Sequence, residues 1–140
     1  MRRPIAVTIR NATERDITAI SAIYAHYVLF GLASFEEVAP TREEMEQRFR
    51  AIAAQKLPYL AAEAGGTVLG YAYAAPYRTR SAYRFTLEDS VYLHPDVTGF
   101  GIGRQLLSAL IAACEDRGFL PEGHVLRNFD AFDVALNRMH

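Results

Sequence analysis

The sequence Val91-Tyr-Leu-His-Pro-Asp-Val-Thr-Gly-Phe-Gly-Ile-Gly-Arg104 decides the fold, because it joins a strand pattern to a helix start through three glycines. Without side chains, these glycines let the backbone approach a ligand closely. The first N–H groups of a helix lack partners and lie at its positive end. The turn is therefore predicted to bind an anion. The helix is predicted to run to Arg117, with Gly118 as its stop and an apolar face of Ile102, Leu106, Leu107, Leu110, Ile111 and Cys114.

The glycine spacing excludes two common phosphate-binding motifs. A dinucleotide-binding G-x-G-x-x-G motif needs glycine at position 104, where Arg104 stands. A P-loop needs Gly-Lys-Ser/Thr, which the sequence lacks. The turn is instead a G-x-G-x-G sequence between a strand and an amphipathic helix.

Upstream of this turn, the hydrophobic pattern begins with a strand and two helices. Residues 5–10 alternate between apolar and polar, as in a half-buried strand. Thr13–Asp16 and Thr41–Glu44 resemble capping boxes, and each is predicted to begin a helix. Gly31 is predicted to end the first helix.

Three strands then lead back to the glycine turn. Gly65-Gly66 predicts a tight hairpin between strands at 59–63 and 67–74. Gly70 marks a bulge or a close approach within the second of these strands. Residues 86–93 form the third. The sequence therefore predicts one α/β domain over residues 1–140, with a mixed central sheet flanked by helices.

Composition narrows the possible partners and location. The chain has 140 residues and a formal charge of −1, so nucleic acid and acidic membranes are not expected as partners. No apolar run approaches the roughly 20 residues of a membrane helix, and the N-terminus lacks a signal-peptide pattern, so a cytoplasmic location is expected. Cys114 is the one cysteine and is expected in the core. His26 and His94 lack metal-ligand spacing, so no metal is expected.

Four further segments occur in an order typical of one enzyme family. They are Ile23-Tyr-Ala-His-Tyr27, Ala33-Ser-Phe-Glu36, Gly70-Tyr-Ala-Tyr-Ala-Ala-Pro-Tyr-Arg78 and Ala82-Tyr-Arg-Phe-Thr-Leu-Glu-Asp-Ser-Val-Tyr92. With the glycine turn, they resemble the phosphinothricin acetyltransferase branch of the GNAT superfamily of N-acetyltransferases. The resemblance covers residues 5–119 and implies a GNAT-like fold with acetyl-CoA as the co-substrate.

The chain departs from this family pattern at two places. Thr98 stands where the family loop usually begins with Arg or Gln. Residues 120–140 form an atypical tail: Leu120-Pro-Glu-Gly123 interrupts an expected strand and leaves only a weak strand at His124–Leu126. Residues 131–139 are compatible with one short helix, in which Asp133 replaces an expected asparagine. The C-terminal strands are therefore expected to be missing or altered, and an open sheet edge predicts a homodimer.

The resemblance implies where acetyl-CoA binds. The backbone of the strand before the turn would pair with the pantetheine arm, and its N–H groups would stabilise charge on the thioester oxygen. The turn itself would bind the pyrophosphate. The cofactor-binding residues are then Val91, Tyr92, Leu93, Thr98, Gly99, Phe100, Gly101, Ile102, Gly103 and Arg104.

Acetylation of an amine needs a base, because amino groups are mostly protonated at neutral pH. Glu88 and Asp89 precede the cofactor strand. Alternation along a strand places them on opposite faces, so only one of them can line the pocket. The resemblance selects Glu88 as the catalytic base.

The resemblance also implies an acceptor site, in which arginines bind an acidic group and aromatic residues form the wall. Its residues are Phe35, Glu36, Tyr77, Arg78, Tyr83, Arg84 and Thr86. The first hypothesis is an N-acetyltransferase for a small amino-acid-like acceptor of the phosphinothricin or methionine sulfoximine type. The alternatives are a truncated, non-catalytic acetyl-CoA-binding remnant and an acyltransferase acting on a protein terminus or lysine.

Overall fold

One five-stranded sheet forms the centre of the computed structural model, which describes residues 5–30, 36–76, 87–118 and 126–128. The strands lie side by side in sequence order, antiparallel from β1 to β4, with β5 parallel to β4. The predicted mixed sheet is confirmed. The strands are β1 Thr8–Asn11, β2 Tyr59–Ala64, β3 Thr67–Pro76, β4 Leu87–Leu93 and β5 Leu126–Asn128.

Helices cover both faces of the sheet: α1 Ile17–Leu29, α2 Arg42–Ala54 and α3 Ile102–Asp116. On one face, Tyr24 and Tyr27 of α1 pack edge-on against Tyr92 of β4. Phe49 of α2 packs against Tyr59 on the same face. On the other face α3 contacts the sheet at Gly70, where an added Cβ would lie 2.8 Å from Leu93 Cδ2 and 3.1 Å from Leu106 Cδ1. The close approach predicted at Gly70 is therefore confirmed.

Capping and turn residues explain where these elements begin. Thr41 Oγ1 accepts a hydrogen bond from the Glu44 amide at 3.1 Å, and the Glu44 carboxylate accepts from the Thr41 amide at 3.2 Å. This capping box begins α2, and a similar box at Thr13 opens a 3₁₀ turn before α1. Gly65 and Gly66 both have positive φ, as a two-residue hairpin requires. The predicted helix starts and the hairpin are confirmed.

Element limits differ from the sequence prediction at several places. The first strand begins at Thr8, and α1 ends at Leu29, whereas Gly31 lies outside the described residues. The fifth strand begins at Leu126, where the predicted weak strand ended. The helix suggested for residues 131–139 also lies outside the described residues.

The predicted apolar face of α3 is too wide. Residues spaced four apart along the helix are fully buried: Ile102, Leu106, Leu110 and Cys114. Leu107 and Ile111 are only partly buried. The row of residues spaced four apart faces the sheet, and the neighbouring apolar residues lie at the edge of the contact between helix and sheet.

An ionic cluster joins β1 to the start of α1. Arg10 donates to both carboxylate oxygens of Asp16 at 2.8 and 2.9 Å and to Glu63 Oε1 at 2.8 Å. The Asp16 carboxylate also accepts from the Thr13 amide at 2.7 Å. Asp16 is buried, and its hydrogen bonds with Arg10 lower the pKa of its carboxyl group below the ordinary value.

We expect Asp16→Asn to lower the free energy of unfolding by about 2 kcal/mol at neutral pH, because it breaks the partly buried ion pair with Arg10. Since the folded-state pKa lies below the unfolded value, the stabilisation is complete above roughly pH 4 and disappears as the pH falls through the folded pKa. Urea unfolding at pH 7 and near pH 3 measures both effects. The control is Glu14→Gln, which removes the exposed pair with Arg50 and should cost less than about 1 kcal/mol. Equal losses for the two variants would contradict the assignment.

Candidate functional site

The two acidic residues at the start of β4 lie in different environments. Glu88 is partly exposed, and burial raises the pKa of its carboxyl group. Asp89 is only 2% exposed and lies on the α3 side of the sheet. There, burial raises the pKa of the Cys114 thiol to about 11, with a smaller contribution from Asp89. The predicted placement on opposite faces is confirmed, and Cys114 is a core residue as predicted.

Alternation along β4 places Glu88 and Tyr92 on the same face, under α1 and α2. Beyond Asp89 the strand continues to Leu93, where Tyr27 Oη donates to the carbonyl oxygen at 2.6 Å. Tyr27 thus connects α1 to the strand end that is predicted to bind pantetheine. No local sequence pattern predicts this contact, because its partners lie 66 positions apart in the chain.

The predicted anion-binding turn follows β4 after one short 3₁₀ turn. His94 caps a 3₁₀ turn, Pro95–Val97, by accepting from the Asp96 amide at 3.1 Å through Nδ1. Gly99 and Gly101 then have φ of 86° and 84°, a left-handed conformation that favours glycine. Gly101 is the N-cap residue of α3, so the helix begins at Ile102, three residues after the first glycine of the turn.

The amino termini of α2 and α3 have different caps. At α2, the Thr41 side chain accepts from the Glu44 amide, and Glu43 and Glu44 supply negative charge. At α3 the cap is a glycine, the first turn has no acidic residue, and Arg104 is exposed. The start of α3 therefore lacks the acidic side chains that offset the helix dipole at α2, and its positive potential favours the anion binding predicted from the sequence.

A second polar cluster lies on the same face as Glu88. Tyr24 Oη donates to the Glu36 carboxylate, and the Arg48 guanidinium donates to both of its oxygens. Arg48 lowers the pKa of Glu36, whereas burial raises that of the Tyr24 phenol. A cavity of about 30 Å³ lies between α1, α2 and β3, and Tyr24, Arg48 and Tyr73 contribute to its lining.

The structure brings Glu36 into this cluster, but the other predicted acceptor residues lie outside the described residues: Phe35, Tyr77, Arg78, Tyr83, Arg84 and Thr86. Arg48 was not among the residues predicted for the site. It lies three positions after Met45, and this spacing places the two side chains next to each other on one face of the predicted helix.

Within residues 5–30, 36–76, 87–118 and 126–128, His, Cys, Asp and Glu do not gather into a group of three or more that could hold a metal ion. None of the helices described is both long and apolar enough to cross a membrane.

Comparison with known proteins identifies the family. The model of the acetyltransferase (GNAT) family matches residues 21–132. The chain belongs to this family. It is 58% identical over 110 residues to a phosphinothricin N-acetyltransferase from Alcaligenes faecalis, an alignment that covers 79% of this chain and 56% of the relative. It is 38% identical over 105 residues to an L-methionine sulfoximine/L-methionine sulfone acetyltransferase from Salmonella typhimurium, covering 75% of this chain and 61% of the relative.

A solved structure supports the predicted fold. A GNAT superfamily phosphinothricin acetyltransferase from Sinorhizobium meliloti, in complex with acetyl-CoA, superposes with a TM-score of 0.74 at 44% identity. The match covers 80% of this chain and 61% of that one. The chain thus spans about three fifths of the length of these relatives. The GNAT fold predicted from the sequence is confirmed.

Proposed function

We propose that this chain transfers the acetyl group of acetyl-CoA to the amine of a small amino-acid-like acceptor of the phosphinothricin or methionine sulfoximine type. The proposal rests on the position of Glu88 on β4, the strand that precedes the glycine turn. This strand presents Glu88 on the α1 and α2 face and leads through one 3₁₀ turn to the glycine turn. A base near the start of one strand and an anion-binding turn beyond its end can hold an amine and a thioester donor together. The choice of acceptor is supported by the relatives from Alcaligenes faecalis and Salmonella typhimurium, which are acetyltransferases of phosphinothricin and of methionine sulfoximine or sulfone.

Glu88 acts as the general base in this proposal. Acetyl-CoA supplies an activated thioester, and the acceptor must supply a neutral amine. Burial raises the pKa of Glu88, so its carboxylate is a stronger base than an exposed glutamate. Asp89 is directed to the α3 side and is excluded from this role by its position.

The backbone after Glu88 binds the donor. Val91, Tyr92 and Leu93 hold the pantetheine arm, and the turn from Thr98 to Arg104 binds the pyrophosphate. The open amino terminus of α3 and the positive φ of Gly99 and Gly101 support this assignment. Thr98 gives the turn no cationic side chain at that position, so affinity depends on backbone groups.

Acceptor binding is assigned to the face shared by Glu88 and Glu36. Because Arg48 and Tyr24 hold the Glu36 carboxylate, Glu36 forms a fixed polar wall of the pocket. Phe35, Tyr77, Arg78, Tyr83, Arg84 and Thr86 complete the proposed site, with the two arginines binding the acidic group of the acceptor.

A thiol-release assay with acetyl-CoA tests this function. The acceptor panel contains phosphinothricin, methionine sulfoximine, a free amino acid and a peptide with an open N-terminus. We expect turnover with the first two. Cofactor binding by calorimetry without any turnover would support the non-catalytic remnant, and preferential turnover of the peptide would support an acyltransferase acting on protein termini.

We also propose that the chain forms a single domain over residues 1–140, is cytoplasmic and associates as a homodimer. Support for association comes from exposed apolar side chains: Leu29, Phe30 and Val38 are 76%, 67% and 81% exposed. Sedimentation should detect a dimer at micromolar concentration, and a stable monomer would contradict the proposal.

A further inference from the structure

We infer that Gln105 is a positioning residue which, together with the backbone of Ile5, orients the N–H groups of the acetyl-CoA pyrophosphate site. The inference rests on the proposed function and adds to it a role for residues outside the glycine turn. Gln105 lies in the first turn of α3, and Ile5 lies three residues before β1.

Three hydrogen bonds connect these residues with the turn. The Ile5 amide donates to the Phe100 carbonyl oxygen at 3.0 Å. Gln105 Nε2 donates to the Ile5 carbonyl oxygen at 3.1 Å and to the Gly101 carbonyl oxygen at 3.3 Å. The carbonyl groups of Phe100 and Gly101, two successive residues of the turn, are therefore both hydrogen-bonded by Ile5 and Gln105, which also bind each other.

The direction of these carbonyl groups fixes the direction of the N–H groups beside them. In a planar trans peptide, the C=O and N–H bonds point in opposite directions. The bond from Ile5 to the Phe100 carbonyl therefore turns the Gly101 N–H away from Ile5. The Gly101 carbonyl already accepts the helical bond from the Gln105 amide at 3.3 Å, and the Gln105 side chain reinforces that direction, which turns the Ile102 N–H outward at the positive end of α3.

Such a restraint matters most for the Phe100–Gly101 peptide, which precedes α3. Glycine populates many backbone conformations, so without the contacts to Ile5 and Gln105 this peptide could rotate at low cost. An anion that must first order it loses part of its binding free energy. Gln105 and Ile5 remove that cost by holding the turn before the ligand arrives.

The chemistry of Gln105 suits this task. Its amide nitrogen carries two N–H bonds, and each is directed at one of the two carbonyl oxygens. Methionine has nearly the same length and volume but no donor. Gln105→Met therefore removes both hydrogen bonds with little change in packing.

The experiment compares two acetyl donors in Gln105→Met and in Ser108→Ala, a control on an exposed position of the same helix. S-acetylpantetheine carries the thioester but lacks the pyrophosphate. We expect Gln105→Met to raise the KM and the calorimetric Kd for acetyl-CoA about three- to tenfold, as for one or two neutral hydrogen bonds. Its kcat, and its KM for S-acetylpantetheine, should match the wild type. Ser108→Ala should leave all of these values unchanged.

A second variant tests the hydrogen bond from Ile5 to the turn. Ile5→Pro removes the N–H that binds the Phe100 carbonyl and leaves Gln105 intact. It must show the same selective loss for acetyl-CoA. Equal losses for the two donors, or a fall in kcat alone, would overturn the inference, because a merely structural residue would act that way.

Failure of the inference and failure of the proposed function give different results. Wild-type protein that binds no acetyl-CoA in calorimetry would remove the proposed function and this inference with it. Wild-type binding with an unchanged Kd in both variants would remove only the inference.

Discussion

Glu88→Gln should lower the turnover number by about 10²- to 10⁴-fold, the usual loss when a general base is removed. Glutamine keeps the shape and hydrogen-bonding capacity of the side chain but cannot accept a proton. The Kd for acetyl-CoA should barely change, because Glu88 precedes the residues that bind the donor. Steady-state kinetics and calorimetry on the same preparation measure both quantities.

The pH dependence separates a base from a residue that only shapes the pocket. Burial raises the pKa of Glu88, so kcat/KM of the wild type should fall, as the pH drops, through a value above the usual 4.3 of glutamate. In Glu88→Gln that step should be absent. Raising the pH should partly restore the rate, because more of the acceptor amine is then already neutral.

Asp89→Asn is the matched control, since it changes the neighbouring carboxylate on the opposite face. Turnover per folded molecule should stay close to that of the wild type. An equal loss for Asp89→Asn would mean that the wrong face of β4 was chosen. Full activity of Glu88→Gln at neutral pH would reject the mechanism.

Local sequence patterns predicted much of the fold. The capping box at Thr41–Glu44, the hairpin glycines and the alternation at Glu88 and Asp89 each depend on residues within a few positions of one another. Backbone geometry and hydrogen bonding act over that range, so the sequence alone specifies them. The order of strands and helices follows from the same local signals.

Contacts between distant residues were not predictable in this way. Tyr27 reaches Leu93, Arg48 reaches Glu36, and Gln105 reaches Ile5 only after the sheet and its helices have assembled. The width of the buried face of α3 was predicted wrongly for the same reason. Leu107 and Ile111 are apolar in the sequence, but only the assembled sheet determines that they are partly buried. The family resemblance supplied functional roles that no local pattern could give.

Gly101→Val should weaken acetyl-CoA binding on the order of 10²-fold. A branched side chain at the N-cap of α3 would stand where the pyrophosphate approaches, and the ligand would lose charge-assisted hydrogen bonds worth about 1.5–3 kcal/mol each. Calorimetric titration with acetyl-CoA measures the loss. Titration with S-acetylpantetheine, which lacks the pyrophosphate, should show a much smaller effect.

Backbone strain must be separated from loss of the site, because Gly101 has a φ of 84°, and valine adopts such angles at a cost of about 1–3 kcal/mol. Gly118→Val provides the matched control at the other end of the same helix. Its φ is 75°, and an added Cβ would meet no atom within 4 Å. Both variants should therefore lose similar stability in thermal unfolding, but only Gly101→Val should lose acetyl-CoA. If Gly101→Val binds acetyl-CoA as tightly as Gly118→Val does, the pyrophosphate is not bound at this turn.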